Sequence, residues 1–198
     1  MRIVSGRFRG KAIATPPGLN TRPTGDRARQ AVFNILEHAA WSRPLEGARV
    51  MDVFAGSGAL GFEAISRGAA FCLFVETDEA ARGAIRDNIE AFGLFGAARV
   101  HRRDATDLGV RPGSAGPAFD LVFMDPPYAK GLGERALASL AGIRLAARRT
   151  EEAQTLLSAA SRAAPEDDYV RDVVERAGLS PSEQRNRPAR RASHVSRP

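Results

Sequence analysis

Short apolar segments separated by stretches of helical periodicity constrain the fold of this chain more than any other feature. Ala48–Ala55, Phe71–Glu76 and Phe119–Asp125 combine branched and aromatic residues with few charges, and Arg99–Asp104 is a shorter segment of the same kind. Strands this apolar are buried on both faces of a sheet, and the helices between them return the chain to the same edge. The pattern therefore predicts an α/β protein, a doubly wound Rossmann-like parallel sheet.

The helical stretches lie where this fold needs them. A first helix is predicted from a cap at Thr24 or Asp26 to about Ala40, followed by helices at 60–67 and 79–92. Residues at helical spacing are expected to turn one apolar face of each helix to the core. In the first helix these are Ala28, Val32, Ile35, Leu36 and Ala39, and in the third they are Ile85, Ile89 and Phe92.

Basic residues concentrate at the two ends of the chain, which has a net charge of +6. Residues 1–47, a basic arm with a short strand or hairpin plus the first helix, hold eight Lys or Arg against three acids. The predicted core, 48–141, has ten against twelve, and the tail, 142–198, has eleven against eight. Basic flanks suit a phosphate-rich partner, although the strong preference for Arg over Lys is also consistent with compositional bias.

Several classes of protein are disfavoured by what the sequence contains. Cys72 is the one cysteine, so an internal disulfide is excluded and a small buried core residue is expected. No apolar run approaches the roughly 18 residues of a membrane helix, and the first ten residues do not resemble a secretory signal. The three histidines have no metal-ligand spacing. We therefore expect a cytoplasmic protein without membrane or metal partners.

The first candidate motif is the turn Asp52–Gly58, which follows the first predicted strand. Gly56 to Gly61 also match the dinucleotide pattern G-x-G-x-x-G, which alone is weak evidence. However, the carboxylate of Asp52 would repel a pyrophosphate and would favour a cationic ligand. Glu76, at the end of the next strand, is placed to bind two ribose hydroxyls. The motif thus predicts a cationic nucleoside cofactor.

The second candidate motif, Asp125-Pro126-Pro127-Tyr128, follows the fourth predicted strand. Two consecutive prolines fix the backbone and remove two donors, which leaves carbonyl oxygens available to a ligand. A carboxylate and a carbonyl can accept hydrogen bonds from a planar amino group while the ring of Tyr128 stacks on the heterocycle that bears it. The motif predicts a site that orients a weakly nucleophilic amine.

Together these motifs resemble those of the S-adenosylmethionine-dependent bacterial 16S ribosomal RNA guanine-N2 methyltransferases, the RsmD type. The resemblance covers residues 1 to about 140. It rests on segments 2–10, 22–29, 33–34, 52–64 and 66–69 in addition to the second motif.

The resemblance implies roles for individual residues. The cofactor S-adenosylmethionine would contact Thr24, Asp52, Phe54, Ala55, Gly56, Ser57, Gly58, Glu76, Asp104 and Ala105. The target guanine would be held by Asp125, Pro126, Pro127 and Tyr128. The RNA would be bound by Arg7, Arg9, Lys11, Arg22, Arg27 and Arg29. The implied partner is 16S ribosomal RNA or an assembling 30S subunit, and the implied enzyme is a monomer that needs no metal.

The sequence departs from this family after about Leu140. The family has a fifth strand and an antiparallel hairpin there, whereas this chain has helical spacing at 144–164 and 166–177, then a Ser/Pro/Arg-rich end. We therefore expect a truncated sheet with Leu121–Met124 as an apolar edge. A replaced or frame-shifted tail would partly cover that edge.

Three alternatives remain open on the sequence. The changed tail is compatible with an RNA-binding homologue that is catalytically impaired. The second motif also serves methylation of adenine N6, so the target base rests on the resemblance. The glycine pattern is compatible with an oxidoreductase, which would leave Asp125–Tyr128 unexplained.

Overall fold

A four-stranded parallel sheet forms the centre of the molecule, which is described by a computed structural model. The strands are β1 (Arg49–Val53), β2 (Phe71–Val75), β3 (Ala98–His101) and β4 (Leu121–Met124), in the order β3-β2-β1-β4. The central strand β1 pairs in parallel with both β2 and β4. The predicted α/β fold is confirmed, and each strand is shorter than its apolar segment because the terminal residues belong to the connecting loops.

The structure describes residues 1–16, 25–38, 44–109, 116–127 and 131–146, with side chains in the last range described to residue 141. Three predicted site residues, Arg22, Thr24 and Tyr128, lie outside these ranges. So do most of the predicted helix at 144–164, all of the one at 166–177 and the rest of the tail.

Helices cover both faces of the sheet. They are α1 (Asp26–His38), α2 (Ala59–Ser66), α3 (Glu79–Ala91) and α4 (Leu132–Ala146). Side chains alternate along the strands, so Val50 and Phe74 pack in one core with α1, α2 and α3. Val53 and Val75 pack on the opposite face against Ala136 of α4. This two-sided burial explains why the strand segments are almost continuously apolar.

Two expectations about the core are confirmed. Cys72 is fully buried and unpaired. The predicted face of α3 is also buried, with Ile85 inaccessible and Ile89 and Phe92 below one tenth exposed. Among the described ranges, no helix has the length and apolarity needed to cross a bilayer.

The predicted apolar face of α1 is wrong in part: Leu36 is half-buried and packs against the core, and Ala39 lies outside the described residues. Arg29 and Phe33 are the buried residues of this helix, whereas Val32 is 39% and Ile35 57% exposed, and Ala28 is exposed as well. The ring of Phe33 packs 5.4 Å from that of Phe123 on β4, which fixes the rotation of the helix. The small and branched residues at helical spacing in α1 gave no indication that Arg29 would be buried.

Arg29 is correspondingly wrong as a predicted RNA-binding residue, because its guanidinium is inaccessible to solvent. Its Nη2 donates to the backbone carbonyl of Arg2 and, over 2.9 Å, to Asp26. Its Nε lies 3.4 Å from Glu63. Arg29 therefore joins the N-terminal arm to α1 and α2.

The N-terminal arm forms the predicted hairpin and packs along α2. Arg2 and Ala12 form an antiparallel bridge, and the backbone of Arg7 donates to the carbonyl of Ser66 at 2.8 Å. Gly6 has a φ of +77°, and a Cβ on it would lie 1.9 Å from the Ser66 oxygen. Only glycine allows this close approach.

The buried carboxylate of Glu63 connects the N-terminal arm to α1 and α2. Glu63 of α2 is inaccessible to solvent and accepts hydrogen bonds from the backbone of Val4 (2.8 Å) and Ser5 (2.9 Å). It also accepts from the Nε of Arg67 at 2.9 Å and from Arg29. One carboxylate therefore neutralises two buried guanidinium groups and positions the arm, in the manner of a fully satisfied buried network.

At the other side of the sheet, β4 pairs with β1 alone among the described residues. Phe123 is buried, while Leu121, Val122 and Met124 are half-buried. α4, which the sequence did not predict, follows β4 and contributes buried Ala136, Ala138 and Ala141. The division of the chain at residues 47 and 141 stays a prediction, with α4 running across the second boundary.

Replacing Glu63 by glutamine should destabilise the fold strongly. The substitution conserves size but removes the buried counter-ion that Arg29 and Arg67 share and leaves them the more exposed carboxylates of Asp26 and Glu37. Loss of a buried partner of this kind typically costs about 3–5 kcal/mol. Urea unfolding monitored by circular dichroism measures the loss. The control is Glu37→Gln, which removes the more exposed partner of Arg67 and should cost about 1 kcal/mol or less. Equal losses for the two variants would contradict the assigned role of Glu63.

Candidate active site

The carboxyl ends of β1, β2 and β4 meet at one edge of the sheet. Val53 is aligned with Val75 on one side and with Met124 on the other. The residues that follow these positions, Glu76 and Asp125, therefore flank the turn that follows β1. The structure thus brings the two motifs to one edge, as the sequence predicted from their positions at strand ends.

The turn after β1 has an unusual backbone. Phe54 is the one non-glycine residue with positive φ (61°) among the described residues, and Gly56 follows with φ of 53°. A bulky residue in this region is strained, and the half-buried ring of Phe54 packs into the core cluster that contains Ala105 and Ala136. The position where Gly56 would carry a Cβ faces open space. The backbone is therefore accessible to a ligand at Gly56.

Asp52 lies beneath this turn rather than on its surface. Its side chain is 2% exposed, and its Oδ2 accepts a hydrogen bond of 2.9 Å from the backbone of Gly61 in α2. The pKa of Asp52 is raised to about 8: burial is the largest cause, the Gly61 hydrogen bond lowers the pKa, and the neighbouring charges of Asp125 and Glu76 raise it. Asp52 therefore links β1 to the first turn of α2. Because its pKa is about 8, a nearby positive charge can convert its carboxyl group from the neutral to the ionised form.

Glu76 connects the loops that follow β1 and β2. Its Oε2 accepts from the backbone of Gly56 at 2.8 Å, and its Oε1 accepts from Thr77 and Asp78 at 2.8 and 2.9 Å. The carboxylate is thus fixed beside the open backbone of Gly56, at the position the sequence predicted.

The sequence did not identify Arg82, which supports the same loop. It is 6% exposed, and its Nη1 donates to the carbonyl oxygens of Thr77 and Glu76. A single arginine inside a helix is normally a surface residue, so no sequence signal could have indicated this contact.

The loop after β3 is held at the same edge. Asp104 accepts hydrogen bonds from the backbone and the hydroxyl of Thr106, and Ala105 is buried. The hydroxyl of Ser139 on α4 accepts from the backbone of Leu108 at 2.9 Å. Ser139 is a second supporting residue that sequence analysis missed, because it belongs to a helix that was not predicted.

The loop after β4 begins with Asp125, which is exposed and interacts electrostatically with Asp52. Pro126 is half-buried and packs closely on α4, since a Cβ on Gly133 would lie 3.2 Å from its Cγ. The first three residues of the second motif therefore sit beside the turn after β1, with Pro127 exposed.

The predicted RNA-binding residues divide into separate groups. Arg27 is exposed at the start of α1. Arg7, Arg9 and Lys11 are exposed at the tip of the hairpin. That tip lies beside the C-terminal end of α2, at the amino edge of the sheet, and so on the opposite side from the candidate active site. Within the described ranges, no group of three or more His, Cys, Asp or Glu side chains is arranged to hold a metal ion.

The buried carboxyl of Asp52 should make the free protein less stable as pH rises. Its pKa is raised from an ordinary value of 3.8 to about 8 in the folded protein, so the folded state holds the proton more tightly between these values. Stability contributed by the neutral form is present below about pH 4 and is lost as pH approaches 8, by at most about 1.4 kcal/mol per pH unit.

Comparing the wild type with Asp52→Asn isolates this effect. The amide keeps an acceptor for Gly61 but does not titrate. Urea unfolding at several values between pH 5 and pH 8 should give a stability difference that shifts steadily in favour of the variant. A difference independent of pH would show that Asp52 is ionised throughout.

Comparison with known proteins identifies the family. The family model described as conserved hypothetical protein 95 matches residues 1–162, somewhat beyond the point where the resemblance was expected to end. Ribosomal RNA small subunit methyltransferase D of Haemophilus influenzae is 34% identical over 142 residues, which are 71% of this chain and 70% of that protein. The protein of the same name from Escherichia coli K12 is 36% identical over 138 residues, 69% of this chain and 65% of that protein.

Solved structures agree with this match. A protein described as a methyltransferase from Escherichia coli has a TM-score of 0.57 at 33% identity and covers 71% of each chain. A hypothetical protein of Thermus thermophilus has a TM-score of 0.53 at 35% identity, covering 74% of this chain and 77% of that one. The chain therefore belongs to the conserved hypothetical protein 95 family, that of the ribosomal RNA small subunit methyltransferase D proteins.

Proposed function

We propose that this protein transfers a methyl group from S-adenosylmethionine to the exocyclic N2 of a guanine in 16S ribosomal RNA, the residue known as guanine 966. The observation that carries the proposal is the placement of Asp125 and Pro126 beside the acidic turn of β1. An acceptor motif for a planar amino group and a cradle for a cationic nucleoside then share one edge of the sheet. The named relatives are ribosomal RNA methyltransferases, which supports the same substrate class.

The residues at this edge fit S-adenosylmethionine. The open backbone at Gly56 allows close approach of a ligand, the charges of Glu76 and Asp125 create a negative potential, and a bound cation would favour ionisation of the Asp52 carboxyl group, whose pKa of about 8 reflects its burial. That potential favours a sulfonium and an ammonium group and disfavours the pyrophosphate of a dinucleotide. The fit therefore argues against an oxidoreductase.

Within this proposal each loop has a part of the cofactor to hold. The turn from Asp52 to Gly58, with Phe54, Ala55 and Ser57, would hold the methionine part. Glu76 would bind the ribose hydroxyls, exchanging some of its present backbone donors for them. Asp104 and Ala105 would contact the adenine, and Thr24 would lie over the site.

The acceptor site would work by orientation. Asp125 and the carbonyl of Pro126 would accept hydrogen bonds from N2–H, so that the nitrogen lone pair faces the cofactor, and Tyr128 would stack on the guanine. When bound, S-adenosylmethionine supplies an electrophilic methyl group on a positively charged sulfur. Asp125 would stabilise the positive charge that develops on the guanine nitrogen as it is methylated and would accept the proton that this nitrogen releases. Such positioning can contribute about 7–11 kcal/mol to catalysis.

A methyl-transfer assay on 30S subunits and 16S RNA that lack the modification tests the proposal. Digestion of the product and mass spectrometry identify the modified base. N2-methylguanine at one site is expected. Methylated adenine would replace the proposed target with adenine N6, and binding of RNA and cofactor without transfer would favour the impaired homologue.

Asp125→Ala should lower methyl transfer by at least about 100-fold, because the amino group loses its acceptor and its proton loses its destination. Cofactor affinity, measured by isothermal titration, should remain within a few-fold of the wild type. Asp87→Ala, which removes an exposed carboxylate from α3, is the control and should leave both unchanged. A collapse of cofactor binding in Asp125→Ala would show that the carboxylate belongs to the cofactor site instead.

Replacing Arg7 and Arg9 together by glutamine should weaken RNA binding and reduce its salt dependence. Each phosphate contact adds about one unit to the slope of log Kd against log salt, so the double variant should lose about two units. Binding is measured by fluorescence anisotropy over a range of salt concentrations, with Arg86→Gln on α3 as the control for loss of an exposed cation. An unchanged slope would remove these residues from the RNA interface.

A further inference from the structure

The amino edge of the sheet carries, next to the cations already assigned to RNA binding, an exposed aromatic ring and a cavity to which the proposed function gives no role. The surface that they form together consists of the exposed side chains of Arg7, Arg9, Lys11 and Phe95 and the adjoining open cavity, and we name it the basal surface. Because all strands run in parallel, it lies on the opposite side of the molecule from the candidate active site.

Two of the three cations of the basal surface, Arg7 and Lys11, lie against an aromatic pair. Phe8 stacks on Phe92 with ring centroids 5.3 Å apart and planes inclined by 17°. Arg7 Cζ lies 4.8 Å from the centre of the Phe8 ring, and Lys11 Nζ lies 5.0 Å from it. The backbone of Phe8 is fixed by a 3.0 Å hydrogen bond to the hydroxyl of Ser66. The two charges are therefore positioned in advance rather than placed on a mobile arm.

Phe95 extends this surface with an exposed aromatic ring. It is 75% exposed, the largest value among the exposed large hydrophobic residues of the described ranges. It lies in the turn between Phe92, which belongs to the aromatic pair, and Ala97, which lines the cavity. One exposed aromatic is unremarkable by itself. On the same edge of the sheet as the three cations, it supplies the stacking ring that proteins combine with positive charge to bind unpaired nucleotides.

The cavity next to Phe95 has a volume of about 610 Å³. Its lining is dominated by small residues, and the backbone at Gly47 is open, since a Cβ there would meet no other atom within 4 Å. Its charged residues are Arg7, Arg67 and one acid, the exposed Glu46. An arginine and a carboxylate together can pair with both the acceptors and the amino groups of a nucleobase edge.

We propose that the basal surface is a second RNA-contact site, at which Arg7, Arg9 and Lys11 bind phosphates and Phe95 stacks on an unpaired base. The inference rests on the proposed function, which supplies an RNA substrate. The candidate active site and the basal surface lie at opposite ends of α2, which has eight residues and is therefore about 12 Å long. An RNA that occupies both sites must therefore pass along one side of the molecule. Contacts at the basal surface would then add affinity and select a folded substrate, without touching the reacting base.

The test is Phe95→Ala, measured with a 16S RNA transcript and with 30S subunits that lack the modification. Loss of one stacking interaction should raise the KM and Kd for RNA about fivefold or more, with kcat at saturating RNA and cofactor affinity unchanged. Phe95→Trp should restore binding, because any aromatic ring can stack. Ile35→Ala, which shortens an exposed apolar residue on α1, is the matched control and should have no effect.

The outcomes separate this inference from the proposed function. If wild-type protein methylates the RNA and Phe95→Ala binds it normally, the basal surface is not an RNA site although the function stands. If Phe95→Ala weakens binding only to subunits and not to the transcript, the surface contacts protein and the inference is wrong. If wild-type protein transfers no methyl group, the proposed function fails, and direct RNA binding by wild type, Phe95→Ala and Phe95→Trp still decides whether the surface binds RNA.

Discussion

The pairing of β1 with both β2 and β4 is the constraint on which the rest of the structure depends. Because β1 is central and all neighbours are parallel, three loops leave the sheet at one edge, two of them beginning with an acidic residue and the third lying above Asp52 of β1. Asp52, Glu76 and Asp125 come from positions up to 73 residues apart in the sequence, yet the charges of Glu76 and Asp125 raise the pKa of Asp52. The same alignment places the returning connections at the opposite edge, where the hairpin tip and Phe95 both lie.

Glu63 and Asp52 are both buried carboxyl groups, but their surroundings stabilise the ionised form to different extents. Glu63 is buried, but two arginines and two backbone amides satisfy it, so its charge organises the arm and α1. Asp52 is also buried, but it has one hydrogen-bond donor and acidic neighbours, so its pKa rises. A group in this second situation can be compensated by a cationic ligand. This contrast separates a structural carboxylate from one suited to a binding site.

The supporting residues of the candidate site come from elements outside the two motifs. Arg82 on α3 fixes the backbone of the loop that carries Glu76, and Ser139 on α4 fixes the loop that follows Asp104. The strained backbone of Phe54 is held by packing against the same side of the sheet that α4 covers. The edge is therefore a preorganised arrangement rather than a set of independent loops.

Local sequence determined the strands, the glycine turn, the buried face of α3 and the placement of both motifs at strand ends. Those features follow from apolar runs, from turn residues and from the rule that parallel strands share one carboxyl edge. The tertiary structure alone decided the rotation of α1, the burial of Arg29, the contacts of Arg82 and Ser139, and the side of the molecule on which Arg7 lies. Each of these depends on a partner distant in sequence: Arg29 points inward because Glu63 lies there, and a helical pattern in one segment contains no information about its partner.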